Sequence, residues 1–187
     1  NYAFSVANPS QLESIAQTGT VHDMVNLPNC TYGDQLKFLR GTTNNTYKYA
    51  GVIHTAYDAS SNAVNYSNES LAQQLAIVAR MIKGNLGTKV YMVTLSGFDT
   101  HANQEETHES LLNNLANSVK LFFDDLGVTG HDQDVLAMTF SEFGRRPDEN
   151  GSVGTDHGAA APIMLFGPAM DDSGFVGTHP SLSALDV

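Results

Sequence analysis

At 187 residues the chain is long enough for a single domain with a real apolar core, and its composition is ordinary for a globular protein. The net charge of −11, from 20 acidic and 9 basic residues, argues against nucleic acid as a main partner, because neutralising phosphates requires Lys and Arg. The lone cysteine, Cys30, excludes an internal disulfide and a cysteine-based zinc site, and no apolar run is long enough for a membrane span.

The first third of the chain is weakly patterned. Residues 10–19, SQLESIAQTG, predict a short helix that ends at its glycine, and residues 31–41 predict one or two further helical turns. Residues 42–67 are rich in Asn, Thr, Ser and Tyr, which predicts mostly loop.

The rest of the chain alternates between two kinds of pattern. Residues 68–84 and 108–127 each carry an apolar stripe at helical spacing and end in glycine, so both predict amphipathic helices. Residues 88–96, 132–141 and 161–167 are apolar runs typical of buried strands. Helices alternating with such strands predict an α/β fold with a parallel sheet, in one domain spanning residues 1–187.

Acidic and histidine side chains follow two of these predicted strands. Asp99 and His101 come just after the first strand, and Glu142 comes just after the second. In open α/β sheets ligands bind beyond the carboxyl ends of parallel strands, and neighbouring strands lie about 4.8 Å apart. We therefore expect these three side chains to converge.

A further Asp-His pair precedes the third predicted strand. Asp156 and His157 can reach the same edge of the sheet only if that strand runs antiparallel to the other two. The glycine-rich loop of residues 143–158 is long enough for the required turn. Taken alone, each Asp-His cluster is more typical of a capped turn with a surface histidine, and only their combination favours a site.

Oxygen and imidazole ligands together suit zinc, manganese or a two-metal site. Two metals can bind both the attacking and the leaving oxygen of a phosphoryl or sulfuryl transfer. Arg145 or Arg146 is then expected to hold an anionic oxygen of the substrate.

Three stretches closely resemble an uncharacterised family called DUF1501. They are GFDTHANQ, TFSEFGRRPDENGSVGTDHGAAAPIMLFGP and GFVGTHPSL, and the resemblance runs from about Leu71 to the last residue. DUF1501 is in turn similar to the sulfatases and the alkaline phosphatase superfamily. The resemblance implies part of an alkaline phosphatase-like three-layer α/β/α domain, with a mostly parallel sheet and one antiparallel strand.

The predicted ligand set for one or two divalent metal ions is Asp99, His101, Glu142, Asp156 and His157. The resemblance implies metal ligands at the places of Asp99, His101, Glu142 and His157, because the superfamily binds its metals with Asp and His at strand ends. Glu142 departs from the pattern, because phosphatases usually carry Asp-His at that place. This departure leaves the number and identity of the metals open. Of the two arginines, Arg145 is the residue expected to have the catalytic role of holding the substrate.

The superfamily places its Ser, Thr or formylglycine nucleophile early in the chain, and nothing in residues 1–67 matches that region. DUF1501 proteins resemble the superfamily with an additional N-terminal half, often behind a twin-arginine export signal. The chain is therefore expected to be the C-terminal part of a longer protein that is periplasmic or extracellular, with the missing N-terminal half as its partner.

Two functional hypotheses follow. The first is a metal-dependent hydrolase that acts on a small anionic substrate, a phosphate or sulfate ester. The second is a non-catalytic exported protein whose degenerate site binds a metal or an anion. The presence or absence of a nucleophile beside the ligands distinguishes them.

Overall fold

A computed structural model describes residues 5–170, 174–178, 181 and 183. Four helices dominate this part of the chain: α1 (Ser10–Thr18), α2 (Thr31–Asp58), α3 (Ser70–Lys83) and α4 (Gln104–Gly127). A short 3-10 helix, His131–Asp134, follows α4. The four strands are β1 (Ala137–Met138), β2 (Gly144–Glu149), β3 (Thr155–Gly158) and β4 (Leu165–Phe166).

The chain forms two compact units. The first contains the described residues within 1–62 and 76–91, and the second contains those within 63–75 and 92–187. In the first unit α1 packs against α2, whose buried face carries Ala50, Ile53 and Ala56. Gly84 passes so close to α2 that a Cβ at this position would lie 1.8 Å from the carbonyl oxygen of Ala56.

The loop predicted from residue 42 is wrong as far as Asp58, because these residues form the C-terminal half of helix α2. The residues after position 41 continue the helix to Asp58 although many are weak helix formers. Hydroxyl groups along this part donate to carbonyl oxygens one turn earlier, for example from Thr46 to Thr42 and from Thr55 to Gly51. Burial of the apolar face supplies the stability that intrinsic propensity lacks.

In the second unit a buried carboxylate joins α4 to the segment before α3. Asp125 is fully buried and accepts hydrogen bonds from the backbone N–H of Ala63 (2.7 Å) and from the hydroxyl of Tyr66 (3.1 Å). Burial and the adjacent carboxylate both raise the pKa of Tyr66, so its hydroxyl stays a donor. Phe122 and Leu126 on the same helix are also buried, as the predicted stripe requires.

The predicted strand at residues 88–96 is wrong. This segment pairs with no strand among the described residues, and Val90 and Met92 are 83% and 77% exposed. The side-chain amide of Gln74 forms the two hydrogen bonds that a neighbouring strand would otherwise make with Thr94. It accepts from the N–H of Thr94 (3.0 Å) and donates to its carbonyl oxygen (2.9 Å). An apolar run specifies an extended chain, but a strand also needs a partner backbone.

The strands that do form make two separate antiparallel pairs. β1 pairs with β4, with Ala137 opposite Phe166, and β2 pairs with β3, with Arg145 opposite His157. The expected alkaline phosphatase-like three-layer α/β/α architecture with a mostly parallel sheet is therefore wrong for the described chain. The antiparallel direction predicted for the third strand relative to the second is confirmed by the β1–β4 register.

Candidate metal centre

The hairpin β2–β3 and the segment before α4 are joined by backbone hydrogen bonds. The N–H of Thr155 donates to the carbonyl of Thr100 (3.3 Å), and the N–H groups of Asn103 and Gln104 donate to the carbonyls of Ser152 (3.1 Å) and Val153 (2.9 Å). The hairpin turn thus caps the start of α4 and fixes the preceding residues beside β3.

A glycine makes this close approach possible. A Cβ on Gly154 would lie 2.3 Å from the carbonyl carbon of His101 and 2.5 Å from its oxygen, far inside van der Waals contact. Only a residue without a side chain fits between the two segments.

Three side chains converge where these segments meet, and we call them the Asp99–His101–His157 cluster. The Oδ1 atom of Asp99 lies 3.1 Å from Nε2 of His101 and 2.9 Å from Nε2 of His157, and the two Nε2 atoms are 3.2 Å apart. Thr100, between the first two residues, is buried, whereas all three cluster side chains are about half exposed to solvent. The Asp-Thr-His order thus places two candidate ligands on the surface and buries the residue between them.

Neighbouring groups orient the cluster. The ring of Phe143 stacks on that of His157 with centroids 3.7 Å apart. Arg145 donates to the carboxylate of Asp99 and to the carbonyls of Thr155 (2.6 Å) and Phe98 (2.9 Å). The hydrogen bond from His157, followed by that from Arg145, holds the pKa of Asp99 below its ordinary value, so this carboxylate remains ionised and able to bind a cation.

Asp156 lies beside the cluster and contacts one of its members. Its Oδ1 atom is 3.2 Å from Nδ1 of His101 and accepts from Nδ2 of Asn150 at 3.0 Å. Hydrogen bonds from Asn150 and then His101 lower the pKa of Asp156, so this side chain is an ionised acceptor.

Residues 41–187 match the model of the DUF1501 family, whose members are described as proteins of unknown function. The chain belongs to the DUF1501 family. No curated protein and no solved structure matches it. Family membership therefore supplies no activity for this DUF1501 protein, and any functional argument depends on the geometry of its own site.

The structure brings together three of the five ligands expected for this DUF1501 protein. Asp99, His101 and His157 each place one ligand atom within 4.8 Å of the others. Asp156 faces the opposite nitrogen of His101, and Glu142 is exposed and lies outside the cluster. Arg145 reaches the site, but its contacts are with the protein, whereas Arg146 is exposed. Their roles as metal ligands and substrate-binding groups stay predictions.

The sequence interpretation missed the hairpin and the residue that organises it. The Oδ1 atom of Asn150 accepts from the N–H groups of Ser152 (2.9 Å) and Gly154 (3.1 Å), and Nδ2 donates to the carbonyl of His101 (3.0 Å). The Asn150-Gly151 dipeptide is typical of turns, but it lacks the alternating apolar flanks of a strong hairpin signal and lies in the segment predicted as a long loop. His179, in the stretch GFVGTHPSL, lies outside the described residues.

Every helix among the described residues is too short or too polar to cross a membrane.

Proposed function

We propose that this protein binds a divalent metal, zinc or manganese, at the Asp99–His101–His157 cluster and hydrolyses a phosphate or sulfate ester there. The observation that carries the proposal is the triangle formed by the three ligand atoms, with edges of 2.9, 3.1 and 3.2 Å. Zinc bonds of about 2.0–2.1 Å place the ligand atoms of a tetrahedral site roughly 3.3 Å apart. The spacing of the three side chains therefore fits a single ion.

The composition of the cluster fits the same group. Two imidazole nitrogens and one carboxylate oxygen are ligands that both zinc and manganese accept. Catalytic zinc sites commonly have three protein ligands and leave a fourth position open. Half-exposed ligands leave this cluster accessible to a substrate, as a catalytic site requires.

A metal bound here would act as a Lewis acid on an oxygen of the ester. Strand β2, which pairs with the strand that carries His157, supplies positive charge through Arg145 and Arg146. Arg145 already donates to Asp99 and two carbonyls, so its part is to hold that carboxylate in place. Arg146 is exposed, and we propose that its guanidinium group binds the anionic part of the substrate.

The alternative is a non-catalytic metal-binding protein, and one observation favours it. Among the described residues, no Ser, Thr or Cys side chain hydrogen-bonds to the three ligand atoms, so no protein nucleophile is in place. Metal binding is common to both functions, and turnover separates them.

The test begins with metal binding by the purified protein after treatment with a chelator. Calorimetric titration with zinc and with manganese should show one tight site, and His157→Gln should weaken it by at least tenfold because one of three ligands is lost. His131→Gln is the matched control, since this histidine contacts Thr129 and lies outside the cluster. Equal binding by both variants would disprove the site.

Turnover is then measured on a panel of phosphate and sulfate esters with the metal-loaded and chelated protein. Hydrolysis that requires the metal and is lost in His157→Gln supports the hydrolase. Tight metal binding with no turnover of any ester supports the binding protein instead.

A further inference from the structure

The two ring nitrogens of His101 contact different partners. Nε2 points into the cluster, where it lies 3.1 Å from the carboxylate of Asp99 and 3.2 Å from Nε2 of His157. Nδ1 points away from the cluster, to Oδ1 of Asp156 at 3.2 Å. A neutral imidazole carries one proton, so which nitrogen is free to bind a metal depends on which partner requires the proton.

Both nitrogens face an ionised carboxylate, which only accepts hydrogen bonds. The Oδ1 atom of Asp99, beside Nε2, already accepts from His157 and Arg145. Asp156 is therefore the partner that needs the proton of His101, and its contact is favourable only when Nδ1 carries the hydrogen. The lone pair of His101 is then on Nε2, facing Asp99 and His157.

Asn150 holds the acceptor in place. One N–H of its amide is directed at Oδ1 of Asp156 and the other at the carbonyl of His101 (both 3.0 Å). Its oxygen accepts from the N–H groups of Ser152 and Gly154. All four hydrogen-bonding positions of the amide are used, and exchanging its oxygen and nitrogen would turn each contact into a clash of like groups. The amide therefore has one orientation, which fixes the carboxylate of Asp156 against Nδ1.

We propose that Asp156, held by Asn150, is a positioning residue that sets the tautomer of His101 and does not itself bind the metal. The proposal rests on the metal site proposed above and reassigns a residue that the sequence interpretation placed among the ligands. Carboxylates that accept from the outer nitrogen of a metal-binding histidine orient the ring, and losing them typically lowers metal affinity by about 10–100-fold.

Two substitutions distinguish positioning from ligation. Asp156→Asn retains an oxygen that can accept from Nδ1, whereas Asp156→Ala removes the acceptor. For a positioning residue, zinc affinity measured by calorimetry should fall by about 10–100-fold in Asp156→Ala and by clearly less in Asp156→Asn. A ligating carboxylate is lost in both variants, so an equal loss of affinity in the two would overturn the proposal.

A second measurement needs no metal. Two-bond proton–nitrogen NMR correlations of the metal-free protein report which nitrogen of His101 is protonated. The protein and Asp156→Asn should show the Nδ1–H form, and Asp156→Ala should show a mixture of tautomers. An unchanged tautomer pattern in Asp156→Ala would overturn the proposal. Because this readout does not depend on zinc, a protein that binds no metal would disprove the proposed function while still allowing the tautomer to be tested.

Discussion

Substituting Gly154 with alanine tests whether the close approach of β3 to the segment before α4 builds the cluster. The added Cβ would lie 2.3 Å from the carbonyl carbon of His101, and ordinary contact begins near 3.4 Å. The two backbones must therefore separate by about 1 Å. Metal sites tolerate changes in ligand distance of only about 0.2 Å.

A separation of this size is about a third of the 2.9–3.2 Å edges of the cluster and several times the tolerated change in ligand distance. We expect Gly154→Ala to weaken zinc binding by about 10–100-fold, as misplacing a ligand typically does. Overpacking should also lower the free energy of unfolding by about 1–3 kcal/mol. Zinc affinity is measured by competition with a chromophoric chelator, and stability by urea denaturation.

Gly151→Ala is the matched control, because this glycine is in the same turn and a Cβ there meets nothing within 4 Å. It should change neither quantity measurably. The reasoning is refuted if Gly154→Ala retains wild-type affinity and stability, or if the two variants lose them equally.

Three further predictions concern stability. Asp125→Ala should lower the free energy of unfolding in urea by about 3 kcal/mol, because it removes a buried acceptor and leaves the part-buried donors of Ala63 and Tyr66 without it. The exposed Asp124→Ala should change it by no more than about 0.5 kcal/mol. Gly84→Ala should lower the free energy of unfolding by about 1–3 kcal/mol, because its Cβ meets the backbone of α2. Gly51→Ala, within α2 and with no neighbour closer than 4.0 Å, should raise the melting temperature, and the reverse order of stability would contradict this packing. The pKa of Asp99 is lower in the folded state than its ordinary 3.8, so its contribution to stability is complete above that value and is lost as the pH falls through the lower folded pKa. Unfolding midpoints measured from about pH 6 to about pH 2.5 should therefore fall more steeply for the wild type than for Asp99→Asn, and parallel curves would count against this assignment.

The helices with regular apolar spacing could be predicted from the sequence because their signal is local. Leu71, Leu75, Val78 and Met81 repeat at helical spacing, and all four are buried in α3. The second half of α2 could not, since its Thr and Asn side chains are typical of loops. Its stability comes from burying Ala50, Ile53 and Ala56, and that contribution depends on the tertiary structure.

Strand pairing was the part that local patterns could not supply. The run that contains Val90 and Met92 has the composition of a buried strand, yet it is extended and exposed. Its apolar residues specify conformation, whereas a parallel sheet requires a second strand at the right distance, and no local pattern encodes that. Three of the five expected ligands nevertheless converge. Asp99 and His101, two residues apart in an extended or turning segment, can share one side, and His157 lies on a strand beside them.

The convergence depends on contacts between residues that are far apart in the chain. Asp99 and His157 are separated by 58 positions, and His101 and Asp156 by 55, so the three ligands are neighbours only when the segment before α4 has docked on the hairpin. For the metal site proposed above, metal binding and docking would be one thermodynamic event. An ion that binds only the docked chain would add RT ln(1 + [M]/Kd) to its stability, about 2.7 kcal/mol at a hundred times Kd. The concentration of free metal would then determine the stability of the docked arrangement of this part of the chain.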